Sequence, residues 1–279
     1  MKIAIQGIQW CFHEMAARKF FWDQPLEIIG EKNFEELVNA VVKEETEYGV
    51  IAIENTIAGT IHPNLNLLRN QKTFICGEVF IRIKQNLAVI PWTKIEELKE
   101  VHSHYMALNQ TRKFFQEYPF IQLVDVEDTA LAIKQVSEKK DRSIGAVWSE
   151  LAAEMYGLEV IGKSIETNKK NYTRFFVIQK EKKEKSDFNK SSLSLVALNE
   201  VGGLSKILAI ISAYGIDLTK IESQPILWEP FHYRFYIDVR FQNTQRYYEM
   251  LQAIKPLLRE IDILGEYQED QSGREEIQA

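Results

Sequence analysis

Short apolar runs alternate with amphipathic segments over the first 180 residues, and this pattern predicts an α/β fold in which helices cover the strands. The run 49–53 is apolar throughout, as expected of a strand that is buried on both faces, and it leads directly into Glu54-Asn55-Thr56. Polar residues at the end of such a strand mark the edge where open α/β sheets bind ligands. A second set of strands and helices is predicted to begin near Phe80. The pattern therefore predicts two α/β lobes with a cleft between them.

The segment 171–178 is predicted to be a strand that returns to the first lobe. Alternation along a strand sends Asn171, Thr173 and Phe175 to one face and Arg174 to the other. Two polar side chains on one face can be presented together to a bound ligand. Arg174 points away from them, and we interpret it as the partner in a structural ion pair.

A nearly continuous run of charged residues from Lys180 to Asp187 is typical of a solvated linker and marks a domain boundary. Beyond it, the apolar pattern predicts the order strand, helix, strand, strand, helix, strand over 192–267. This βαββαβ order is typical of a ferredoxin-like antiparallel sheet with both helices on one face. The polar tail from Glu269 onward is expected to fray.

These boundaries predict a catalytic unit, a linker and a smaller regulatory unit. The ranges are 1–180 for the first domain, 181–190 for the linker and 191–270 for the second domain. Within the first domain, one lobe is expected to contain 1–78 with 170–180 and the other 79–169, with helices at 105–117 and 128–138 in the second lobe.

Composition and charge restrict the class of partner. The 279 residues include 34 basic and 40 acidic ones, for a net charge of −6, so we expect neither a nucleic-acid nor a membrane partner. The two cysteines, Cys11 and Cys76, have no metal-ligand spacing and are read as reduced thiols. The N-terminus reads as a strand rather than a signal peptide. We therefore expect a cytoplasmic protein that binds small molecules and holds no metal.

Seven short motifs follow one another along the chain. They are Ile5-Gln6-Gly7 with Phe12-His13-Glu14, Ile53-Glu54-Asn55-Thr56, Ser103-His104 with Gln110, Asp128-Thr129-Ala130, Asn171-Tyr172-Thr173-Arg174-Phe175, Gly202-Gly203-Leu204, and Glu222-Ser223-Gln224-Pro225. In type and order they resemble the motifs of prephenate dehydratases that carry a C-terminal ACT regulatory domain, and the resemblance covers nearly the whole chain. Three places depart from the family pattern. They are Trp10 and Cys11 in the opening loop, Tyr105 after Ser103-His104, and Gln224 in place of arginine.

The resemblance implies a catalytic domain similar to the type II periplasmic-binding-protein fold, followed by an ACT domain. It implies that prephenate loses water and carbon dioxide to give phenylpyruvate, without a metal or other cofactor, and that phenylalanine acts as the feedback effector. Pairing of regulatory domains would cover exposed sheet edges, so a homodimer or homotetramer is expected.

The resemblance also implies roles for individual residues. The catalytic set is Thr173, Asn55, Ser103, Gln110 and His104. The substrate-binding set is Thr56, Asn171, Phe175 and Gly7. The effector-binding set is Gly202, Gly203, Leu204, Glu222, Ser223, Gln224 and Pro225. A structural role remains open for several of these residues: Ser103 or His104 can cap the helix at 105–117, and Thr173 can simply stabilise a strand.

Two other functions remain open at this point. Arogenate dehydratase shares the same ring chemistry and differs in a substrate that has an amino group in place of the keto oxygen. A non-catalytic small-molecule binder would also use a two-lobed α/β cleft, and the departures at Trp10 and Cys11 favour that reading.

Overall fold

The computed structural model describes residues 1–126, 136–138, 140–182 and 187–278. Within these ranges the strands are β1 (Lys2–Gln6), β2 (Glu27–Glu31), β3 (Tyr48–Asn55), β4 (Gly59–Thr60), β5 (Phe74–Arg82), β6 (Asn86–Val89), β7 (Glu100–Ser103), β8 (Gln122–Asp125), β9 (Ile144–Trp148), β10 (Glu159–Gly162), β11 (Tyr172–Gln179), β12 (Lys190–Ala197), β13 (Asp217–Pro225), β14 (Tyr233–Arg240) and β15 (Leu258–Tyr267). The helices are α1 (Phe12–Phe20), α2 (Phe34–Val42), α3 (His62–Gln71), α4 (Tyr105–Phe115), α5 (Glu150–Met155), α6 (Gly203–Ala213), α7 (Thr244–Ile254) and α8 (Gln271–Gln278). The motif Asp128-Thr129-Ala130 and most of the helix predicted over 128–138 lie outside the described residues.

Two sheets organise the described residues, which makes the chain a mixed α/β protein as predicted. One sheet has ten strands in the order β13-β14-β12-β15-β5-β11-β3-β1-β2, with β4 paired to β3. The other has five strands in the order β10-β6-β9-β7-β8. Strand β11 returns to the first sheet and lies antiparallel between β3 and β5, as the sequence predicted.

The second sheet begins later than the sequence predicted. Strand β5 pairs with β11 through Arg82, so Phe80 still belongs to the larger sheet, and the second sheet starts at Asn86. The prediction near Phe80 was wrong because Val79, Phe80 and Ile81 continue the strand that begins at Phe74. The assignment of whole lobes and domains stays a prediction.

Residues 190–267 form the predicted βαββαβ arrangement. Strands β13, β14, β12 and β15 are neighbours and all pair antiparallel. Ile207 of α6 and Tyr247 of α7 belong to one buried cluster together with Leu193 and Ile237 of the sheet, so both helices cover the same face.

The opposite face of this unit packs against residues of β3 and β11. Tyr236 and Tyr267 are buried in the same cluster as Ile51 of β3 and Phe176 of β11. The sheets join where Gly265 of β15 pairs with Ile75 of β5, and a Cβ at Gly265 would lie 2.3 Å from the Ile75 carbonyl oxygen. A glycine is therefore required at this junction, because any side chain would separate the two strands.

The C-terminal tail is ordered, contrary to the expected fraying. Helix α8 follows Asp270, whose carboxylate accepts hydrogen bonds from the backbone N–H groups of Gly273 and Phe80 at 2.9 Å each. Tyr172 donates its hydroxyl to the carbonyl oxygen of Glu276 at 3.0 Å. The tail is therefore attached to β5 and β11 by contacts with residues distant in the sequence, which its own polar pattern does not reveal.

Candidate active site

A cavity of about 620 Å³ lies beside the end of β3 and the start of β11, and residues from both sheets line it. Gly7 follows β1, Asn55 ends β3, and His104 and Gln110 belong to the start and middle of α4. The lining residues are Gln6, Gly7, Ile8, Cys11, Phe12, His13, Lys32, Ala52, Asn55, Ala58, Ile61, Ile83, Gln85, His104, Met106, Ala107, Gln110, Trp148, Asn171, Thr173 and Phe175. The cavity therefore lies where residues associated with the two sheets meet, and the division into two lobes stays a prediction.

Amides and a hydroxyl form a continuous hydrogen-bonded chain along this cavity. Asn171 donates from Nδ2 to Gln110 Oε1 at 2.9 Å. Asn55 donates from Nδ2 to Asn171 Oδ1 at 2.8 Å and to Thr173 Oγ1 at 3.0 Å. The chain joins β3, β11 and α4, so four predicted site residues meet in one network.

The orientation of the Asn55 amide is fixed by its own turn. Its Oδ1 accepts from the backbone N–H groups of Ile57 and Ala58, each at 2.9 Å. The nitrogen end must therefore face Thr173. A hydroxyl that accepts a hydrogen bond becomes a better donor, so Asn55 polarises the Thr173 O–H bond.

Strand pairing explains why polar pairs occupy both faces at this point. Thr173 lies opposite Asn55, and the next pair, Arg174 and Glu54, is directed to the other face of the sheet. Thr173, Asn171 and Phe175 all line the cavity, which confirms the face predicted by alternation. Successive residues of β3 and β11 point to opposite faces of the sheet. The same two strands therefore contribute side chains both to the cleft and to the ionic cluster behind it.

Arg174 is the centre of a buried ionic cluster behind the cleft, as its alternation predicted. Its guanidinium lies 2.6 Å from Glu78 and 2.5 Å from Asp238, and Lys190 lies 2.8 Å from Glu78. Burial alone would lower the pKa of Arg174, but Asp238 and Glu78 hold that pKa well above its ordinary value. Burial would raise the pKa of Asp238, but Arg174 and Lys190 hold it below its ordinary value. The charges are therefore mutually stabilised across β5, β11, β12 and β14.

His13 lies in the wall of the cavity on α1. Its ring contacts Phe175 edge-on, with ring centroids 4.9 Å apart, and Phe34 at 5.7 Å. Its Nε2 atom is shielded from solvent and has no hydrogen-bond partner among the described residues. Burial lowers the pKa of His13 to about 4, so its imidazole is neutral at physiological pH.

The charges that line the cavity favour an anion. The described lining residues include the ammonium group of Lys32 but no aspartate or glutamate. Sequence reasoning missed Lys32, Gln85 and Trp148 as lining residues. Lys32 directly follows β2, so the end of that parallel strand was the available signal.

Two predicted site residues do not line the cavity. Ser103 is fully buried and donates its hydroxyl to the Val147 carbonyl oxygen at 2.9 Å. Thr56 donates to the Lys170 carbonyl oxygen at 3.0 Å on the opposite side of the strands. Ser103 does not cap α4 either, because the N-cap is His104, whose Nδ1 accepts from the Met106 N–H at 3.3 Å.

Trp10 does not obstruct the cleft despite its size. Its ring lies below the guanidinium of Arg18 at 5.3 Å, and the residue is not among those that line the cavity. The departure from the family pattern at this position therefore leaves the cleft open in this structure.

The predicted effector residues lie at the outer part of the C-terminal unit. Gly202 has a φ of +76° at the start of α6, and a Cβ at Gly203 would lie 2.8 Å from the Leu198 carbonyl oxygen. Leu204 is half-buried on the same helix. On β13, Ser223 and Pro225 are exposed and Gln224 is half-buried. Glu222 faces the first lobe and accepts from the Thr60 hydroxyl at 2.7 Å.

The described residues contain no group of three or more histidine, cysteine, aspartate or glutamate side chains arranged to hold a metal ion. None of their helices combines the length and the apolar character that crossing a membrane requires.

The fold is a mixed α/β arrangement of two sheets with a cavity lined from both of them, and the sequence comparisons give the family. The prephenate dehydratase family model matches residues 3–183, and the chain belongs to that family. A bifunctional chorismate mutase/prephenate dehydratase of Aquifex aeolicus is 32% identical over 96% of this chain and 73% of its own length. The protein of the same description from Buchnera aphidicola is 31% identical over 84% of this chain, and the match spans 62% of that relative's length.

Solved structures share the fold of this chain over nearly its whole length. The prephenate dehydratase of Staphylococcus aureus has a TM-score of 0.83 at 25% identity, covering 96% of this chain and 100% of that one. The prephenate dehydratase of Arthrobacter aurescens in complex with L-Phe has a TM-score of 0.84 at 24% identity, covering 96% and 90%. GqqA, described as a novel type of quorum quenching acylase, has a TM-score of 0.86 at 26% identity, covering 98% and 99%.

Proposed function

We propose that this protein is a prephenate dehydratase, which converts prephenate to phenylpyruvate, water and carbon dioxide on the route to phenylalanine. The observation that carries this proposal is the hydrogen-bonded chain from Gln110 through Asn171 and Asn55 to Thr173, in a cavity without described acidic residues. Membership of the family supports the same reaction.

The reaction needs a proton for the departing hydroxyl and a site that tolerates loss of a carboxylate. The electron pair of the ring–carboxylate bond enters the ring as carbon dioxide leaves. The pair of the ring C–O bond departs with the hydroxyl, which takes up a proton and leaves as water. Thr173 donates a hydrogen bond to that oxygen, because Asn55 already donates to the Thr173 hydroxyl and leaves its hydrogen available.

The substrate carries two carboxylates, and the cavity offers mainly uncharged donors with one ammonium group. Lys32 and the neutral His13 line the cavity, and backbone N–H groups of the Gly7 loop and the α4 start are nearby. Helix N-termini and exposed N–H groups hold carboxylates without full positive charges. His104 caps α4 at this place and can donate through its other ring nitrogen. Phe175 supplies an apolar wall for the ring.

Ser103 and Thr56 belong to the proposal as supports rather than as groups that touch substrate. Ser103 anchors the end of β7 to β9 directly before His104. The hydroxyl of Thr56 joins the β3 turn to the start of β11, since it also accepts from the Tyr172 N–H at 3.0 Å. Both residues therefore hold strand ends that carry lining residues.

The direct test is turnover of prephenate and arogenate by the purified chain. We expect phenylpyruvate to form from prephenate much faster than in the spontaneous acid-catalysed reaction. Faster turnover of arogenate would assign the arogenate dehydratase activity instead. Binding of prephenate without acceleration would identify a non-catalytic binder and contradict the proposal.

The regulatory part of the proposal assigns residues 191–270 to an ACT domain and phenylalanine to it as effector. The βαββαβ order of this unit and the L-Phe complex of the Arthrobacter relative support this assignment. The effector carboxylate would be held at the start of α6, by Gly202, Gly203 and Leu204. The remaining contacts would come from Glu222, Ser223, Gln224 and Pro225 on β13.

An exposed sheet edge supports the proposal of a homodimer or homotetramer. Within the described residues β13 ends the ten-stranded sheet, and nearby side chains such as Trp228 and Phe231 are 97% and 90% exposed. Pairing of two such edges would shield both. Calorimetric titration with phenylalanine, together with inhibition of prephenate turnover, tests the effector. No binding at saturating phenylalanine would contradict it.

The remaining expectations stay proposals. The first is the division of the chain into a domain over 1–180 with a type II periplasmic-binding-protein fold, a linker over 181–190 and a domain over 191–270. The second is a cytoplasmic location without nucleic-acid or membrane partners. The charged run at 180–187, the net charge of −6 and the biosynthetic names of the relatives support them.

A further inference from the structure

The turn that carries Asn55 has a narrow base. Strands β3 and β4 pair through Glu54 with Thr60 and through Asn55 with Gly59, and β4 is only two residues long. The tip of the turn has little packing, since Ile57 is 44% exposed and a Cβ at Gly59 would meet nothing within 4 Å. The position of the Asn55 side chain therefore depends on how the base of this turn is held.

Lys220 of β13 bridges the base of this turn. Its Nζ lies 3.0 Å from Glu54 Oε2 and donates to Thr60 Oγ1 at 2.6 Å. Its side chain is 9% exposed, so the charge is largely shielded from solvent. A partly buried ion pair with a second hydrogen bond has a defined geometry, unlike an exposed pair between two flexible side chains.

We propose that Lys220 is a positioning residue for the proposed dehydratase reaction, acting through Glu54 and Thr60 to fix the turn that orients Asn55 toward Thr173. The inference rests on the proposed function and adds a residue from the C-terminal unit to the machinery of the cleft. Lys220 contacts the face of the sheet opposite the cavity and does not line it.

The surroundings of Lys220 connect the same turn to the predicted effector segment. Glu222, two residues along β13 on the same face, accepts from the Thr60 hydroxyl at 2.7 Å and lies 3.6 Å from Lys220 Nζ. Arg174 lies 3.8 Å from Glu54 Oε2, the same oxygen that Lys220 contacts. A displacement of β13 would therefore move Glu54 and Thr60 together, and with them the Asn55 turn. Effector binding at β13 would thus alter turnover by a direct mechanical route.

The test compares Lys220→Met with the milder Thr60→Val, which removes one of the two groups bridged by Lys220. Lys163→Met is the matched control, because Lys163 forms an exposed pair with Glu150 at 2.6 Å on the other lobe. We expect Lys220→Met to lower kcat about tenfold or more, with KM within about twofold, because misplaced catalytic groups slow the chemical step. Thr60→Val should give a smaller loss of kcat, and Lys163→Met none. A Lys220→Met kcat within about twofold of wild type would overturn the proposal.

Hydrogen exchange supplies a readout that does not depend on turnover. The backbone N–H groups of Ile57 and Ala58 are bonded to Asn55 Oδ1, so their protection reports the geometry of the turn. We expect their exchange to accelerate in Lys220→Met and in Thr60→Val, while Lys163→Met stays at the wild-type rate. Unchanged protection in both bridge variants would overturn the inference. If wild type fails to convert prephenate, the proposed function fails, and the exchange rates still decide whether Lys220 fixes the turn.

Discussion

The half-buried imidazole of His13 should make the protein sensitive to mild acid. Its pKa is lowered from 6.5 to about 4 by burial, so the folded protein resists a proton that the unfolded chain accepts. Between these two values the unfolded state binds more protons, and the free energy of unfolding must fall as the pH falls. Above pH 6.5 the effect vanishes, because His13 is neutral in both states.

The magnitude follows from the size of this interval. Each pH unit below the unfolded pKa costs about 1.4 kcal/mol, so at pH 5 the loss from His13 is about 2 kcal/mol. That amount is a large fraction of the stability of a typical domain, which is about 5–15 kcal/mol. The ring sits between Phe34 and Phe175, so a His13→Phe variant keeps an aromatic side chain and removes the titrating group.

The assay is urea unfolding of wild type and His13→Phe at pH 5 and pH 7.5. We expect wild type to lose about 2 kcal/mol more than the variant between these two conditions. The comparison uses the change with pH, so any packing cost of the larger ring cancels. A His232→Phe variant controls for the general effect of replacing a histidine. Equal pH dependence of wild type and His13→Phe would refute the reasoning.

Two further predictions concern the face of the sheet behind the cleft. Arg174→Met removes the guanidinium that Asp238 and Glu78 contact, and should lower the free energy of unfolding by about 3–5 kcal/mol in a urea titration. The control Arg259→Met breaks an exposed pair with Glu229 and should lower it by less than about 1 kcal/mol. Equal losses in the two variants would contradict a buried ionic cluster. Asp270→Ala removes the acceptor for the N–H groups of Gly273 and Phe80, and should cost about 1 kcal/mol and raise the hydrogen-exchange rate of residues 271–278. Protection of α8 at the wild-type level would show that the helix is held by other contacts.

Alternation along a single strand was enough to predict two of the four residues in the hydrogen-bonded chain of the cavity. Because β11 is regular at its start, the sequence assigned Thr173 and Asn171 to the cavity and Arg174 to an ion pair on the opposite face. The position of Asn55 also followed, because a polar residue at the end of a buried strand must find partners. These predictions need only the local pattern of polar and apolar residues along each strand.

The rest of the site depends on contacts between distant segments. Lys32 reaches the cavity from the end of β2, a strand that the sequence analysis did not predict. Ser103 faces Val147 because β7 pairs beside β9, which the chain order does not indicate. Helix α8 was missed for the same reason, since Asp270 binds the backbone of Phe80.

The central claim is that the Thr173 hydroxyl, oriented by Asn55, assists departure of the ring oxygen. Replacing it in Thr173→Val keeps the β-branched shape and removes the donor, while Thr173→Ser keeps the donor. Steady-state turnover of prephenate should fall about 100-fold or more in kcat for Thr173→Val, and stay within about tenfold of wild type for Thr173→Ser. A Thr173→Val variant with wild-type kcat would contradict the account.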